Sequence, residues 1–156
     1  MKKIILIGRP NVGKSTLFNR LTGRELALTS AISGTTIDFK INKFKIENET
    51  FLLTDTAGFE FLNKDTLLQK QRSILLKELE NSHIILLVLD ATIGITSEDL
   101  LLSKQCLKYK KKIILLFNKF DKKNAFQNYQ EGWSLGVGKP LPISASHGDG
   151  ITDLLN

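Results

Sequence analysis

The residues with the clearest chemistry lie near the start of the chain, where residues 8–15 read GRPNVGKS and fit the pattern G-x-x-x-x-G-K-[ST]. In such a phosphate loop, glycines let the backbone curl until its N–H groups point at phosphate oxygens, helped by the following helix N-terminus. Lys14 then supplies a cation at the β- and γ-phosphates of a nucleotide, and the Ser15 hydroxyl ligates Mg²⁺. The predicted phosphate-binding residues are Gly8, Arg9, Pro10, Asn11, Val12, Gly13, Lys14, Ser15 and Thr16.

A second motif, Asp55-Thr56-Ala57-Gly58, follows the apolar run 51–53. It places a carboxylate at the carboxyl end of a strand, where open α/β sheets bind ligands. We expect Asp55 to hold Mg²⁺ through water and the Gly58 N–H to meet the γ-phosphate. Alone, this tetrapeptide is as typical of a turn, and the phosphate loop alone leaves ATPase, nucleotide kinase and GTPase open. Together the two motifs favour the nucleotide site.

The base is indicated by residues 118–121, NKFD, which close another apolar run. A fixed carboxylate at Asp121 accepts hydrogen bonds from the ring N–H and the exocyclic amine of guanine, whereas adenine offers no such pair of donors. Asn118 is expected to tie this base loop to the phosphate loop, and the Lys119 stem to lie over the base. Backbone N–H donors to the guanine carbonyl oxygen are expected from Ser144, Ala145 and Ser146. The predicted ligand is GTP or GDP.

Residues 24–38, RELALTSAISGTTID, form a polar segment without clean periodicity. A switch that senses the γ-phosphate is expected here, because such segments order around the phosphate and Mg²⁺ and are released on hydrolysis. We assign Thr36 as the hydroxyl that completes the Mg²⁺ shell, with the adjacent Thr35 as the alternative. The predicted magnesium ligands are Ser15, Thr36 and Asp55.

Short apolar runs must position these motifs. Residues 4–7, 84–89 and 113–117 are apolar on consecutive positions and rich in β-branched residues, which is typical of strands buried on both faces of a parallel sheet. Helical spacing separates them. One predicted helix buries Leu67, Leu68, Ile74, Leu75 and Leu79, and another buries Leu100, Leu101, Ser103, Cys106 and Leu107.

Two further strands form a predicted antiparallel hairpin over residues 39–55, with its tight turn at Asn48 and Glu49. Pro140 and Pro142 place a last short strand, ending near Ile143, at a sheet edge. The predicted fold class is α/β. It is a P-loop NTPase with three layers, α/β/α, and a mostly parallel six-stranded sheet that carries one antiparallel hairpin strand towards its edge.

Composition excludes several other classes of protein. The chain has 156 residues, 42% hydrophobic and 24% charged, the size and balance of one soluble domain. Its apolar runs are far shorter than the roughly 20 residues that span a bilayer, and the single Cys106 cannot form an internal disulfide. We therefore expect a cytoplasmic domain. His83 and His147 have no partner at metal-ligand spacing and are expected to be structural.

Net charge gives a weaker indication of partners. The chain carries a formal charge of +6, and lysines concentrate over residues 108–112. This favours polyanionic partners such as nucleotides or nucleic acid, although such a run more often is a solvated helix end.

The motif order GRPNVGKS, SGTTID, DTAG, NKFD and SAS resembles that of the translation-factor-related GTPases. The opening stretch GRPNVGKSTLFNRLTGR and the closing stretch WSLGVGKPLPISASHGDGITDLLN resemble the first GTP-binding domain of the bacterial tandem GTPases called Der or EngA, within the TrmE-Era-EngA-like group. The resemblance implies one GTP-binding domain over residues 1–156, the N-terminal part of a longer tandem protein. Its last helix, which begins at residue 150 and stops after about two turns, is expected to be truncated. It also implies a role in large-subunit ribosome assembly, contact with ribosomal particles or rRNA through the full-length protein, and a monomeric isolated domain.

The chain departs from that family at the switch, where SGTTID replaces the usual PGVTRD, and at DTAG, where DTGG is common. Phe59 follows Gly58 where many signalling GTPases keep a glutamine that orients water, so hydrolysis is expected to be slow unless another group stabilises the transition state. Relatives use a potassium ion held by the asparagine of the phosphate loop, here Asn11. The resemblance thus implies potassium-stimulated GTP hydrolysis with Lys14, Thr36, Asn11 and Gly58 as the catalytic set.

Three alternatives follow from the same residues. One is a nucleotide-gated module that binds RNA or ribosomes with little intrinsic hydrolysis. Another is a relative within the same group that acts in tRNA modification or small-subunit assembly. An ATP-using kinase is disfavoured by NKFD and by the lack of a recognisable lid segment.

Overall fold

The structure, a computed structural model, describes residues 1–23, 28–31, 38–56, 66–122, 125–150 and 154. Within these residues a single sheet of seven strands has the order β2-β3-β4-β1-β5-β6-β7. The strands are β1 (Lys2–Ile7), β2 (Leu28–Ala31), β3 (Asp38–Ile46), β4 (Glu49–Asp55), β5 (Ile84–Asp90), β6 (Lys112–Asn118) and β7 (Leu141–Pro142). The helices are α1 (Lys14–Leu21), α2 (Thr66–Asn81), α3 (Ser97–Leu107), α4 (Ala125–Asn128) and a 3₁₀ helix (Tyr129–Leu135).

Strand pairing confirms the predicted α/β class. β1 pairs in parallel with β4 and β5, β5 with β6, and β6 with β7, while β3 runs antiparallel to β4. The six predicted strands are present, and the structure adds a seventh, because β2 pairs antiparallel with β3. β2 lies inside the segment predicted to be an irregular switch, so part of that segment is a strand.

The consecutive apolar residues of the central strands are explained by two separate cores. Ile5 and Ile7 face one core, and Ile4 and Leu6 face the other, because alternate residues of a strand point to opposite faces. On the first face, Leu75 and Leu79 of α2 pack as predicted. On the second face α1 packs, through residues that include Leu17 and Phe18.

Helix α3 packs on the sheet with a face that shares only Ser103 and Cys106 with the predicted one. Leu102, Ser103 and Cys106 are buried, whereas three leucines of the predicted face, Leu100, Leu101 and Leu107, are exposed by 41%, 45% and 48%. Three consecutive leucines do not select a face. Asp99 is also buried and shares an i, i+3, i+4, i+7 stripe with the three buried residues, so this stripe is the face that packs on the sheet.

The hairpin and the last strand follow the prediction with small changes. The two-residue turn lies at Glu47 and Asn48, one position earlier than predicted, and Glu47 adopts a left-handed φ of 55°. β7 contains Pro142 and lies at the sheet edge, where a missing N–H is tolerated. The predicted final helix falls mostly outside the described residues, although Leu154 is helical and packs on the second core. In the described part of the chain, no helix is both long and apolar enough to cross a membrane.

Candidate nucleotide-binding site

The carboxyl ends of β1, β4, β5 and β6 meet at one edge of the sheet because the strands run in parallel. The phosphate loop follows β1, the Asp55 motif ends β4, and the base loop begins at the end of β6. The sequence-predicted motifs are thereby gathered at one edge, which is where open α/β sheets bind ligands. An open cleft of about 600 Å³ lies there and is lined by Pro10, Asn11, Gly13, Lys14, Ser15, Thr16 and Lys119.

Two glycines of the phosphate loop are required by their surroundings. Gly13 has a φ of 100°, and a Cβ there would lie 2.1 Å from the Asn118 Nδ2 atom. A Cβ on Gly8 would lie 2.5 Å from the Val88 carbonyl oxygen of β5. Asn11 also adopts a left-handed φ, of 67°. The loop therefore curls tightly against the ends of β5 and β6, as the spacing of its glycines predicts.

Lys14 lies inside this curl. Its side chain is almost fully buried, and its Nζ atom donates to the carbonyl oxygens of Gly8 at 2.7 Å and Arg9 at 2.8 Å. Burial lowers the pKa of Lys14 from 10.5 to about 8, with Asp55 opposing the shift and Arg9 adding to it. At neutral pH the ammonium remains charged, so the loop holds a desolvated cation, which attracts an anion more strongly than a solvated one does.

Two oxygen groups suited to a magnesium ion lie beside each other. The Ser15 hydroxyl donates to Asp55 Oδ2 at 3.2 Å, and Asp55 is buried at the end of β4. The neighbouring Thr56 is anchored through its hydroxyl to the Leu6 carbonyl oxygen at 2.6 Å. The remaining residues assigned to the magnesium and γ-phosphate side lie outside the described residues: Thr35, Thr36, Ala57, Gly58 and Phe59.

Asn118 joins three loops, as predicted in part. Its Nδ2 donates to the Val12 carbonyl oxygen at 2.8 Å, which confirms the predicted tie between base loop and phosphate loop. Its Oδ1 accepts from the Ala145 backbone N–H at 2.9 Å. That N–H and the N–H of Ser144, which donates to Asp149, are therefore engaged within the protein in this structure. Of the residue 144–146 stretch, Ser144 and Ala145 are buried and Ser146 is exposed.

Lys119 connects the base loop to two other segments. Its Nζ donates to the Asn11 carbonyl oxygen and to Asp90 Oδ2, each at 2.9 Å. Asp90, the last residue of β5, is buried, and its other oxygen accepts from the backbone N–H and the hydroxyl of Thr92. Burial alone would raise the pKa of Asp90, but the Thr92 and Lys119 hydrogen bonds outweigh it and lower that pKa.

Asp121, the predicted guanine acceptor, lies at the rim of the site. A hydrogen bond from the Ser144 side chain is the main cause that lowers the pKa of Asp121, and His147 and Lys122 contribute by their charge. His147 Nε2 lies 3.0 Å from Asp121 Oδ2, so this histidine, predicted to be structural, contacts the predicted base acceptor. The group is thus held as a carboxylate, the form that accepts two hydrogen bonds.

Arg9 points away from the phosphate cleft, in contrast to the sequence prediction of a phosphate contact. Its Nε donates to Asp99 Oδ1 of α3 at 2.9 Å, and Asp99 is fully buried. The same aspartate forms a capping box with Thr96 at the N-terminus of α3. Among the described residues, the buried Arg9 Nη2 has no hydrogen-bond partner.

Sequence reasoning missed four residues of this region. The sequence around Asp90 and Asp99 does not indicate which loops these two residues contact. The pattern T-x-x-D before a helix indicates only the capping box that Asp99 forms with Thr96. Arg20 donates to the carbonyl oxygens of Ala145 and Ser146 from α1, 125 and 126 residues earlier in the chain. His147 completes the set. All four contacts are long-range, which no local pattern reports.

Residues 3–119 match the family described as 50S ribosome-binding GTPase. The chain belongs to this GTPase family. The predicted likeness to a GTP-binding domain of Der is confirmed as well. GTPase Der from Bartonella bacilliformis is 45% identical over 97% of this chain and 32% of the relative, and GTPase Der from Mesorhizobium japonicum is 40% identical over the same shares. The chain thus spans about a third of the length of the curated relatives it matches.

Solved structures of P-loop GTPases share the fold. Aquifex aeolicus Era bound to GDP and aluminium fluoride has a TM-score of 0.80 and 31% identity, covering 99% of this chain and 55% of Era. Era in complex with MgGDPNP and a segment of 16S ribosomal RNA has a TM-score of 0.81 at 31% identity, covering 99% and 54%. The G domain of T. maritima FeoB has a TM-score of 0.78 at 28% identity, covering 99% and 94%. This member of the 50S ribosome-binding GTPase family therefore has the fold of a P-loop GTPase domain.

Proposed function

We propose that the cleft at the carboxyl edge of the sheet binds GTP and GDP through the predicted loops and hydrolyses GTP to GDP and phosphate. The observation that carries this proposal is the Asn118 side chain, which bonds both Val12 and Ala145. A phosphate loop and a guanine loop are useful only at a fixed separation, and this amide sets it. The proposed nucleotide contacts are the phosphate loop apart from the Arg9 side chain, with Thr16, residues 55–58, Asn118, Lys119, Asp121 and residues 144–146.

Within this site, Lys14 would face the β- and γ-phosphates as a desolvated cation, and the loop N–H groups would bind phosphate oxygens. Ser15 and Asp55 fit a magnesium ion, since their oxygens lie 3.2 Å apart and Mg²⁺ prefers hydroxyl and carboxylate oxygens. When bound, the ion neutralises charge on the β- and γ-oxygens. Thr36 would complete its shell and the Gly58 N–H would sense the γ-phosphate.

Potassium stimulation is the second part of the proposal. Asn11 is exposed at the cleft, and its left-handed backbone turns the loop at that residue. Its side-chain amide oxygen is a suitable ligand for K⁺ beside the phosphates, in the position where the family resemblance implies one. We expect slow hydrolysis in sodium, because Phe59 cannot orient a water molecule.

The biological role proposed is assembly of the large ribosomal subunit, as a GTP-binding domain of a longer tandem protein located in the cytoplasm. Support comes from the description of the family as 50S ribosome-binding and from the matches to GTPase Der. Contact with ribosomal particles would be made by the full-length protein, with the isolated domain monomeric. The Era neighbour solved with 16S rRNA supports an RNA-containing partner for this group of folds.

Binding of the guanine nucleotide is tested by titrating fluorescent GDP and ADP against the chain. We expect GDP to bind and ADP not to compete. Asp121→Asn should weaken GDP and admit xanthosine diphosphate, because an amide presents a donor where the carboxylate accepted. Unchanged preference for GDP in this variant would contradict the assignment of the base site.

Hydrolysis is tested by phosphate release in matched potassium and sodium buffers. Asn11→Ala should remove the difference in turnover between the two salts. Equal turnover of the unmodified chain in both salts would contradict the potassium proposal without affecting the guanine site.

A further inference from the structure

The segment from Asp90 to Asp99, which joins β5 to α3, contains two buried carboxylates. Asp90 is 3% exposed and Asp99 is 0% exposed. Buried carboxylates require partners, because an unpaired charge away from water is strongly unfavourable. In both cases the partner is a cation from a loop of the nucleotide site: Lys119 of the base loop for Asp90 and Arg9 of the phosphate loop for Asp99. The β5–α3 segment therefore contacts the nucleotide site at two points.

The first contact fixes the base loop. Asp90 Oδ2 accepts from Lys119 Nζ, while Asp90 Oδ1 is occupied by Thr92. The same Nζ bonds the Asn11 carbonyl oxygen, and Lys119 has a left-handed φ of 62° that an ordinary side chain seldom adopts. The backbone adds a further bond, from the Ala91 N–H to the Asn118 carbonyl oxygen at 2.9 Å. Asp90 therefore holds the residue that precedes Phe120 and Asp121 in an unusual conformation.

The second contact fixes the phosphate loop. The phosphate loop carries two cations, Arg9 and Lys14, and the guanidinium of Arg9 is bonded to Asp99. The Arg9 backbone carbonyl in turn accepts from Lys14 Nζ. Asp99 cannot follow Arg9 if the loop moves, because its own second oxygen accepts from the Thr96 N–H in the capping box.

We propose that Asp90 and Asp99 are positioning residues of the nucleotide site, Asp90 for the base loop and Asp99 for the phosphate loop. Asp99 neutralises Arg9 and withdraws it from the cleft, which leaves Lys14 as the cation of that loop that faces phosphate. Asp90 holds Lys119 so that its stem can cover the base and Asp121 can meet it. This assignment rests on the proposed guanine-nucleotide site and gives a role to residues that do not touch the ligand.

The test uses competition against fluorescent GDP with three ligands: GDP, GMP, which lacks the β-phosphate, and IDP, which lacks the exocyclic amine. Asp90→Asn should weaken GDP at least about tenfold and reduce the preference for GDP over IDP, with the GDP-to-GMP ratio unchanged. Asp99→Asn should also weaken GDP at least about tenfold, reduce the preference for GDP over GMP, and leave the GDP-to-IDP ratio unchanged. Glu98→Gln is the matched control, because it removes an exposed carboxylate from the same helix turn.

Pairing is tested by double variants. If Asp90 acts through Lys119, the Asp90→Asn, Lys119→Met double variant should bind GDP no worse than Lys119→Met alone, because coupled residues are not additive. Arg9→Met reports on the second pair in the same way, and it replaces Asp99→Asn if that buried change prevents folding.

The outcomes separate the two proposals. If the unmodified chain does not bind GDP, the proposed function fails and this inference fails with it. If the unmodified chain binds GDP but both aspartate variants behave like Glu98→Gln, the guanine site stands and the positioning roles are refuted. Equal losses for all three ligands in both variants would indicate a general structural effect and would also refute the inference.

Discussion

Replacing Gly13 by alanine perturbs the contact that joins the two nucleotide loops. The new Cβ would lie 2.1 Å from Asn118 Nδ2, a separation that no structure tolerates, at a residue whose φ is 100°. Asn118 would have to move away. Its bonds to the Val12 carbonyl oxygen and from the Ala145 N–H would both be lost, and these groups are buried.

The magnitude follows from two contributions. A non-glycine residue in this left-handed conformation costs about 1 to 2 kcal/mol. Each buried hydrogen bond that is broken without a replacement costs about 1 to 3 kcal/mol. We therefore expect Gly13→Ala, which breaks two such bonds, to lower the free energy of unfolding by about 3 to 8 kcal/mol, a large part of the total for a domain of this size.

Gly23→Ala is the matched control. Gly23 also has a left-handed φ, of 71°, but nothing lies within 4 Å of its added Cβ. It should show the conformational contribution alone, about 1 kcal/mol. In urea unfolding with an m-value of about 2 kcal/mol/M, the midpoint should fall by about 1.5 to 4 M for Gly13→Ala and by about 0.5 M for Gly23→Ala.

A third variant isolates the collision. In an Asn118→Ala background no amide remains to collide with, so Gly13→Ala should then cost no more than Gly23→Ala does. Equal urea midpoints for Gly13→Ala and Gly23→Ala in the unmodified background would refute this reasoning, as would a full Gly13→Ala cost that persists without the Asn118 side chain.

Three further predictions concern single residues. Burial raises the pKa of the Cys106 thiol to about 12. At pH 8, mass spectrometry should therefore show the thiol unmodified by iodoacetamide in the folded chain and alkylated in 8 M urea. Rapid alkylation of the folded chain would contradict the burial of Cys106. The pKa of Lys14 is about 8 in the folded chain and 10.5 otherwise, so between those pH values the unfolded chain binds more protons than the folded chain. The free energy of unfolding, measured by urea titration relative to Lys14→Met, should therefore rise by up to about 3 kcal/mol over that pH range. The same pH dependence of stability in the unmodified chain and in Lys14→Met would contradict this. In thermal unfolding, Leu102→Ala should destabilise the chain by about 2 to 5 kcal/mol and Leu100→Ala by under about 1 kcal/mol. A larger loss for Leu100→Ala than for Leu102→Ala would support the helix face predicted from the sequence instead.

The local sequence pattern was sufficient to predict those parts of the fold and site whose geometry is determined by the motif itself. The phosphate loop, the buried strands and the tie from Asn118 to the loop were predicted because glycine spacing and consecutive apolar residues have one common structural solution each. β2 was not predicted, since a four-residue edge strand in a polar segment gains its order from pairing with β3 and not from its own residues.

The face of α3 and the partners of the two nucleotide-loop cations required the tertiary structure. Leu100, Leu101 and Leu102 are alike as side chains, and the burial of Leu102 together with Asp99, Ser103 and Cys106 shows which of them points inwards. The partner of Arg9 lies 90 residues away along the chain, so an arginine between Gly8 and Pro10 reads as a phosphate ligand until the fold shows the aspartate behind it. Sequence spacing reports neighbours along one element and not those across the sheet.

The connection between the start and the end of the chain has a consequence for synthesis on the ribosome. Asn118 donates a hydrogen bond to Val12, 106 residues earlier in the chain, and Arg20 of α1 donates to a carbonyl oxygen 125 residues later. At a translation rate of about 5 to 20 residues per second, the phosphate loop leaves the ribosome about 6 to 25 seconds before the segment that completes its cleft. During the first part of that interval β1 has neither of its parallel neighbours, because β4 ends at Asp55 and β5 at Asp90. The nascent chain can therefore bind nucleotide only late in its synthesis. Tightly bound GDP would indicate that the whole sheet has assembled.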